Sequence, residues 1–180
     1  MRQLIVSEWV SLDGVFDASL TDQWFNPYHS DSRAQYIQET IRDCDAMLYG
    51  RLTYEMLYPY WSALKNNEMG VAEKLNKVRK YVVSSTLREG AWENSTVIRD
   101  PEVVARLKEE DGGPILVTGS ASLVRLLLEY GLVDEMKLLM HPYIMGKGQR
   151  FFTEGMHAAL TLTGAERLDR DVLLLTYRPG

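Results

Sequence analysis

Apolar and polar residues form two kinds of pattern along this chain of 180 residues. Short runs rich in β-branched and aromatic residues are typical of strands, and apolar residues spaced three or four positions apart are typical of helices. The predicted strands are RQLIVSEWVSL, DAMLYG, KYVVSST, STVIRD, GPILVTG and LVDEMKLLMHPYIMG, followed by ALTLTGAERL and DVLLLTYRP as a final antiparallel pair. The predicted helices are DSRAQYIQETIRDC, TYEMLYPYW, GVAEKLNKVRK, PEVVARLKEE and SASLVRLLLEYG.

Several predicted helices carry recognisable end signals. Ser30 or Asp31 can cap the first helix, because short polar side chains accept hydrogen bonds from the free N–H groups of a first turn. Pro101 suits the first turn of its helix, and Gly131 suits a helix end. Pro59 is expected to end or kink the helix that contains it.

The order of these elements predicts the fold class. Strands and helices alternate early in the chain, which implies right-handed crossovers and a mainly parallel sheet. The last strands break that alternation, which predicts an antiparallel edge. No linker, repeat or low-complexity segment divides the sequence. We therefore expect one α/β domain over residues 1–180, in which helices cover both faces of a mixed sheet to give three layers.

Composition and charge argue against several classes of protein. Hydrophobic residues make up 46% of the chain and charged residues 25%, as in soluble globular domains. A formal net charge of -5 argues against a nucleic-acid-binding protein, whose partner attracts basic surfaces. There is no signal peptide and no apolar run approaching the ~18 residues of a membrane helix, so we expect a cytoplasmic protein without membrane contact. The histidine spacing suggests no metal site.

Three candidate ligand sites lie where predicted strands end. They are Gly50-Arg51-Leu52-Thr53, Ser84-Ser85-Thr86 and Gly119-Ser120-Ala121-Ser122. Ligands of open α/β sheets bind beyond the carboxyl ends of the strands, and helix N-termini offer free N–H groups to phosphate. Arg51 can bind phosphate through its planar fork, while Thr53 and Ser120 can cap their helices and bind the same anion. The alternative is that all three are ordinary caps and turns.

Two further groups have alternative roles. Tyr54, Tyr58, Tyr60 and Trp61 can pack in the core or at a dimer interface, or stack against a planar substrate. His141 lies before a proline at a strand end, which favours a packed or structural role over a catalytic one.

These segments resemble the dihydrofolate reductases and their relatives. LYGRLTYEML (residues 48–57) resembles the segment with glycine, arginine and threonine that opens a helix in those enzymes. VSLDGVF resembles the start of their mobile active-site loop, and YVVSSTL resembles their strand that ends in serines beside the adenosine phosphate. ILVTGSASLVRLLLEYGLVDEMKLLMHPYIMGKGQRFF resembles the end of the reductase domain of bifunctional riboflavin biosynthesis proteins. The resemblance covers nearly the whole chain and points to the single-domain bacterial members.

The resemblance implies an activity and a cofactor. It implies a three-layer dihydrofolate-reductase-like fold and an NADPH-dependent reductase that transfers hydride to a small heterocycle, either pterin-like or ribosylaminopyrimidine-like. The implied cofactor site has Gly50, Arg51 and Thr53 at the phosphates, Ser84 and Ser85 near the adenosine 2′-phosphate, Gly119, Ser120, Ala121 and Ser122 at the pyrophosphate, and Trp9, Ser11 and Asp13 beside the nicotinamide. Arg33 or Lys147 is the candidate for a substrate phosphate.

The catalytic group and the assembly state follow less directly. Dihydrofolate reductases carry a carboxylate on the helix after the first long loop, and Asp31 lies nearest that position, although its spacing from Trp24 differs from the family's. Asp31 can equally be a helix cap, in which case water supplies the proton. The apolar MKLLMHPYIM and the C-terminal strands favour a homodimer. The alternatives to a reductase are a nucleotide-binding protein or sensor without turnover, and a protein-interaction module.

Overall fold

A mixed sheet of eight strands organises the chain, which the computed structural model describes from residue 1 to residue 180. The strands are β1 (Leu4–Ser11), β2 (Ala46–Gly50), β3 (Arg79–Val83), β4 (Ser95–Ile98), β5 (Ile115–Val117), β6 (Glu135–His141), β7 (Leu160–Arg167) and β8 (Leu173–Pro179). Their order across the sheet is β4-β3-β2-β5-β1-β6-β8-β7.

The directions of the strands confirm the predicted fold class. The six strands from β4 to β6 in the sheet order pair in parallel. β8 pairs antiparallel with β6, and β7 pairs antiparallel with β8. The parallel strands are linked by crossovers, most of them helical, whereas β7 and β8 are joined by a short connection that allows only an antiparallel pair.

Six α-helices cover the sheet. They are α1 (Thr21–Trp24), α2 (Asp31–Asp43), α3 (Arg51–Ala63), α4 (Ala72–Lys77), α5 (Glu102–Glu109) and α6 (Ala121–Glu129). Helix α3 continues past Pro59 to Ala63, so the proline does not end it. The segment before α2 was expected to be irregular and instead forms short helical turns, including α1. None of the helices combines the length and the apolar character needed to cross a membrane.

The helices lie in two layers because the central strands bury side chains on both faces. Along β1, Val6 and Val10 pack in a cluster with residues of α5 and α6, such as Val104 and Val124. Residues of β2 on the other face, such as Tyr49, pack in a second cluster with α3 and α4. Helix α2 covers the same face farther along, against β6 and β8. The sheet between these layers presents the carboxyl ends of its parallel strands at one edge.

Candidate functional site

A cleft opens at a gap in the central sheet. The short strand β5 pairs only with residues 4–6 of β1 and 46–48 of β2, so the ends of β1 and β2 continue without a strand between them. A cleft of about 1000 Å³ opens at this place. Glu8 and Trp9 of β1, Tyr49 of β2 and Thr118 after β5 contribute to its walls.

Two helices begin side by side at this cleft. The backbone N–H of Gly50, before α3, donates to the carbonyl of Gly119, before α6, at 3.0 Å. A Cβ on Gly50 would lie 2.3 Å from Ser120 Oγ, and a Cβ on Gly119 would lie 2.6 Å from Thr53 Oγ1. Only glycine permits this approach, and Gly119 also has a positive φ of +99°. The positive dipole ends of α3 and α6 therefore lie next to each other at one end of the cleft.

The two helix starts differ in how they are capped. Ser120 caps α6, with its hydroxyl accepting from the N–H of Leu123 at 3.4 Å, as the sequence predicted. Helix α3 begins at Arg51, with Gly50 as its N-cap and without a side-chain cap. The prediction that Thr53 caps α3 is wrong, because Thr53 already lies inside the first turn. No capping side chain therefore accepts a hydrogen bond from the first N–H groups of α3.

The predicted cofactor residues are divided between the wall of the cleft and its surroundings. Gly50 and Gly119 join the two helix starts behind that wall. The predicted residues that line the cleft itself are Trp9, Thr53, Ser120, Ala121 and Ser122.

The second candidate ligand site, Ser84-Ser85-Thr86, lies one strand away from the first. It follows β3, which pairs with β2. The Ser84 hydroxyl accepts from the N–H of Leu87 at 2.9 Å, and Ser85 is exposed. Arg51 is partly exposed and donates to Glu55 at 2.7 Å within α3. Neither serine lines the cleft, so their predicted role at an adenosine phosphate requires a ligand that extends over the surface beyond β2.

Ser11 and Asp13 hold loops together rather than lining the cleft. The Ser11 hydroxyl donates to Asp13 at 2.7 Å, and the Asp13 carboxylate accepts from the backbone N–H groups of Met145 at 3.0 Å and Gly146 at 2.8 Å. The Met145 hydrogen bond, followed by that of Ser11, lowers the pKa of Asp13 to about 2. This carboxylate therefore fastens the loop after β1 to the loop after β6.

Two buried polar groups in the cleft were not identified from the sequence. Glu8 is 4% exposed, and its Oε1 has no hydrogen-bond partner. Burial raises the pKa of Glu8 well above its usual value, against the opposing effect of the Gly119 backbone. The buried Tyr49 hydroxyl also has no partner within hydrogen-bond geometry. Burial raises its pKa, against the opposing effect of the nearby Thr118 side chain. Because buried polar groups are nearly always hydrogen-bonded, both groups are available to a ligand. An acidic residue inside the apolar strand LIVSEWVS was the available signal.

Asp31 does not lie in the cleft. It is the exposed first residue of α2, and Ser30 is the cap, with its hydroxyl accepting from the N–H of Arg33 at 3.3 Å. Arg33 follows on the inner side of the same turn and lines the cleft, whereas Lys147 is exposed and does not line it. A catalytic role for Asp31 stays a prediction, which turnover by Asp31→Asn would test.

Arg33 is held by a buried histidine. Its Nη1 donates to the carbonyl of Phe25 at 2.7 Å and lies 3.1 Å from Nε2 of His141. His141 Nδ1 lies 3.2 Å from the carbonyl of Val10, so its proton is on Nδ1 and Nε2 accepts from Arg33. Burial is the main cause that lowers the pKa of His141, to about 4. The imidazole is therefore neutral and structural, as the sequence favoured.

The predicted aromatic group divides between the core and the cleft. The Tyr54 hydroxyl accepts from the N–H of Trp92 at 2.7 Å, and the ring of Tyr58 stacks on Tyr54. Trp61 lines the cleft and Tyr60 is exposed. Core packing thus accounts for Tyr54, and Trp61 is the member of the group that lines the cleft.

Comparisons with known proteins agree with this geometry. The family model of the RibD C-terminal domain matches residues 2–174. A curated relative, the uncharacterized protein YyaP of Bacillus subtilis (strain 168), is 31% identical over 122 residues. That alignment covers 63% of this chain and 62% of YyaP.

Solved structures with low identity share the fold. A protein from Shewanella sp. PV-4 named for riboflavin biosynthesis matches with a TM-score of 0.72 and 21% identity over 99% of both chains. Dihydrofolate reductase from Enterococcus faecalis, solved with NADP(H) and RAB-propyl, matches with a TM-score of 0.66 and 16% identity over 99% of this chain and 96% of that one. These similarities confirm the dihydrofolate-reductase-like fold expected from the sequence.

Proposed function

This chain belongs to the RibD C-terminal domain family, and from that premise we propose that it is an NADPH-dependent reductase of a small heterocyclic substrate. The observation that carries the proposal is the meeting of two helix N-termini at Gly50 and Gly119, beside a cleft large enough for two ligands. The solved Enterococcus faecalis relative with bound NADP(H) supports the choice of cofactor.

The residues present fit a dinucleotide in three respects. The free N–H groups at the start of α3 and the capped start of α6 suit phosphate oxygens. The close approach of Gly50 and Gly119 lets backbone rather than side chains face those oxygens. Glu8 Oε1 and the Tyr49 hydroxyl are unpaired polar atoms in the same cleft, suited to the polar edge of a ring.

In the proposed reaction, the cofactor and the protein have different tasks. When bound, NADPH supplies the hydride. The walls of the cleft, which include Trp9 and the start of α6, would orient the two rings and exclude water. Burial raises the pKa of Glu8 and so favours its protonated form, in which it can donate a hydrogen bond to a ligand within the cleft.

Ligand-dependent thermal unfolding tests the cofactor. A ligand at ~100 times its dissociation constant stabilises the folded state by roughly 2.7 kcal/mol. We expect NADPH to raise the melting temperature of the wild type, NADH to raise it less, and Arg51→Ala to reduce the NADPH shift. Arg42→Ala removes another exposed, ion-paired helical arginine outside the cleft and is the matched control. No shift with either nucleotide would refute the cofactor and leave an ordinary pair of helix caps.

Turnover distinguishes the reductase from its alternative, a nucleotide-binding protein or sensor of the same fold. We expect NADPH oxidation with at least one compound of a panel of pterins, aminopyrimidines and quinones. Saturable NADPH binding without oxidation of NADPH by any of them would favour the sensor.

We also propose a cytoplasmic homodimer. Strand β7 forms one edge of the sheet, and its Leu162 is 53% exposed. Ile144, in the segment after β6, is 70% exposed. An exposed edge and apolar surface favour pairing with another chain. The lone thiol of Cys44 suits a reducing compartment. A monomeric mass by light scattering at micromolar concentration would contradict the dimer.

A further inference from the structure

Arg33 is a buried cation without a counter-ion. Its side chain is 3% exposed, it forms no ion pair with a carboxylate, and its Nε has no hydrogen-bond partner. Burial is the first cause that lowers its pKa, to about 10, and repulsion from Arg170 is the second. No acidic group opposes these effects. Removing a charge from water without an opposite charge beside it costs free energy. No group of the protein balances the positive charge of Arg33.

Neutral groups fix the guanidinium in position. The Phe25 carbonyl and His141 both bind Nη1 of the guanidinium. The other two nitrogens, Nε and Nη2, have no protein acceptor. A purely structural arginine normally has its donors satisfied, because leaving a buried donor unpaired is costly. The arrangement is the one expected of a cation held ready for an anion that arrives with a ligand.

The position of Arg33 separates it from the two helix starts. His141, its partner, ends β6, which pairs with β1 on the side opposite β5. With strands about 4.8 Å apart, β6 lies roughly 10 Å across the sheet from β5 and its helix start. The cleft connects the two ends, since Arg33 and Ser120 both line it. An anion at Arg33 therefore belongs to the second ligand rather than to the phosphates of a nucleotide.

The surroundings specify the rest of that ligand. The Arg33 guanidinium lies over the Phe25 ring at 4.0 Å, and Phe25 stacks on Trp9 with centroids 4.4 Å apart and planes 16° apart. These flat groups line the cleft and suit a planar ring. Arg170, which repels Arg33, is exposed and does not line the cleft. Arg33 is the buried guanidinium at this end of the cleft, and it matches one negative charge, as on a carboxylate. A phosphate monoester carries about two at neutral pH and would leave an excess buried charge.

We propose that Arg33 binds a carboxylate on a planar ring of the second ligand, at the end of the cleft formed by Trp9, Phe25 and His141. This inference rests on the proposed function for the identity of the second ligand as substrate. It narrows the substrate class from heterocycles in general to ring carboxylates, and it replaces the substrate phosphate that the family resemblance suggested for Arg33.

Small probes test this site without knowledge of the substrate. Thermal unfolding is measured with sodium benzoate, phenyl phosphate and benzamide at constant ionic strength, for the wild type, Arg33→Met and the control Arg42→Met. We expect benzoate to raise the melting temperature of the wild type and of Arg42→Met in a concentration-dependent way, but not that of Arg33→Met. Benzamide, which has the same shape without the charge, should raise none of them.

Each other outcome overturns the inference. If phenyl phosphate raises the melting temperature and benzoate does not, Arg33 binds a phosphate group rather than a carboxylate. Equal protection by benzoate in Arg33→Met would place the anion elsewhere. If Arg33→Met fails to fold, equal effects of benzoate and benzamide on the wild type would by themselves refute the carboxylate site, and Arg33→Lys serves as the folded comparison.

The cofactor is tested separately in the same variants. The NADPH shift should be unchanged in Arg33→Met, and its loss there would assign Arg33 to the nucleotide. Absence of any NADPH shift in the wild type would refute the proposed cofactor while leaving the benzoate result to decide the anion site.

Discussion

Replacing Gly50 with alanine should force apart the two helix starts on which the candidate cofactor site depends. Gly50 has φ −75° and ψ 156°, which any residue adopts, so the substitution adds no backbone strain. The new methyl group would lie 2.3 Å from Ser120 Oγ and 3.1 Å from the backbone N of Ser120. The hydroxyl can rotate away, but the backbone nitrogen cannot.

The size of the effect follows from these contacts. Rotation of the Ser120 hydroxyl gives up the cap on α6, which costs about 1 kcal/mol. Overpacking at the buried Gly50 costs about 1–3 kcal/mol. Alanine has less conformational freedom than glycine in the unfolded chain, which stabilises the folded state by about 0.4–1 kcal/mol. The net destabilisation is about 2 kcal/mol, which for a chain of this size lowers the melting temperature by roughly 4–8 °C.

Denaturant unfolding of four variants measures this effect. Gly164→Ala is the matched control, because its methyl group would meet its nearest atoms at 3.5 Å, an ordinary contact. Ser120→Ala alone should lose only the cap. The double variant Gly50→Ala/Ser120→Ala should lose less stability than the sum of its parts, since the 2.3 Å contact is gone. Gly50→Ala should also reduce the stabilisation by NADPH.

Two results would refute this reasoning. One is a stability of Gly50→Ala within about 0.5 kcal/mol of Gly164→Ala, the usual range for a harmless substitution. The other is strict additivity in the double variant, which would show that the methyl group and the Ser120 hydroxyl never compete for space.

Three further predictions concern the buried polar groups. Burial raises the pKa of Glu8, so the wild type should lose stability relative to Glu8→Gln as the pH rises above the usual glutamate value of 4.5; a constant difference would contradict this. Burial lowers the pKa of His141 to about 4, so its contribution to stability is fully present above its unfolded pKa of about 6.5 and is lost as the pH falls toward 4. Its NMR ring signals should not titrate between pH 8 and 5, and a midpoint near 6.5 would contradict the burial argument. Tyr54→Phe leaves the buried N–H of Trp92 unpaired and should cost about 1–3 kcal/mol in denaturant unfolding, whereas Tyr58→Phe should cost less; equal losses would contradict it.

The fold was predictable because its local signals agree with one another. The strands of the sheet are short β-branched runs, and the break in alternation after α6 marks the antiparallel edge. Pro59 misled the prediction because packing of α3 against the sheet outweighs the loss of one helical hydrogen bond. The turns around α1 were not predicted, since four-residue helices carry too little periodicity to be recognised.

Part of the cleft lining was predictable from the sequence, including Trp9, Ser120 and Arg33. Gly50 and Gly119 were found because glycine at a strand end has a local reason to be there. The side chains at the other end of the cleft come together through the tertiary fold, since Arg33 and His141 lie 108 positions apart in the sequence. Asp31 was predicted because it lies nearest the position of the carboxylate in dihydrofolate reductases. In the structure Asp31 is exposed, and Arg33 in the same helical turn faces the cleft. No local feature of the sequence shows which of these two residues faces inward.

The three-residue length of β5 also determines how the molecule can deform. Beside it, β1 and β6 share a ladder of seven residue pairs, whereas β5 joins each neighbour through only three. The half of the sheet made of β2, β3 and β4 is thus joined to β1 within the sheet by only three residue pairs on each side of β5. If the sheet bends when a ligand binds, we expect the bend at β5, where the fewest ladder pairs hold neighbouring strands. The short strand that leaves room for a ligand is therefore also the place where the sheet resists bending least.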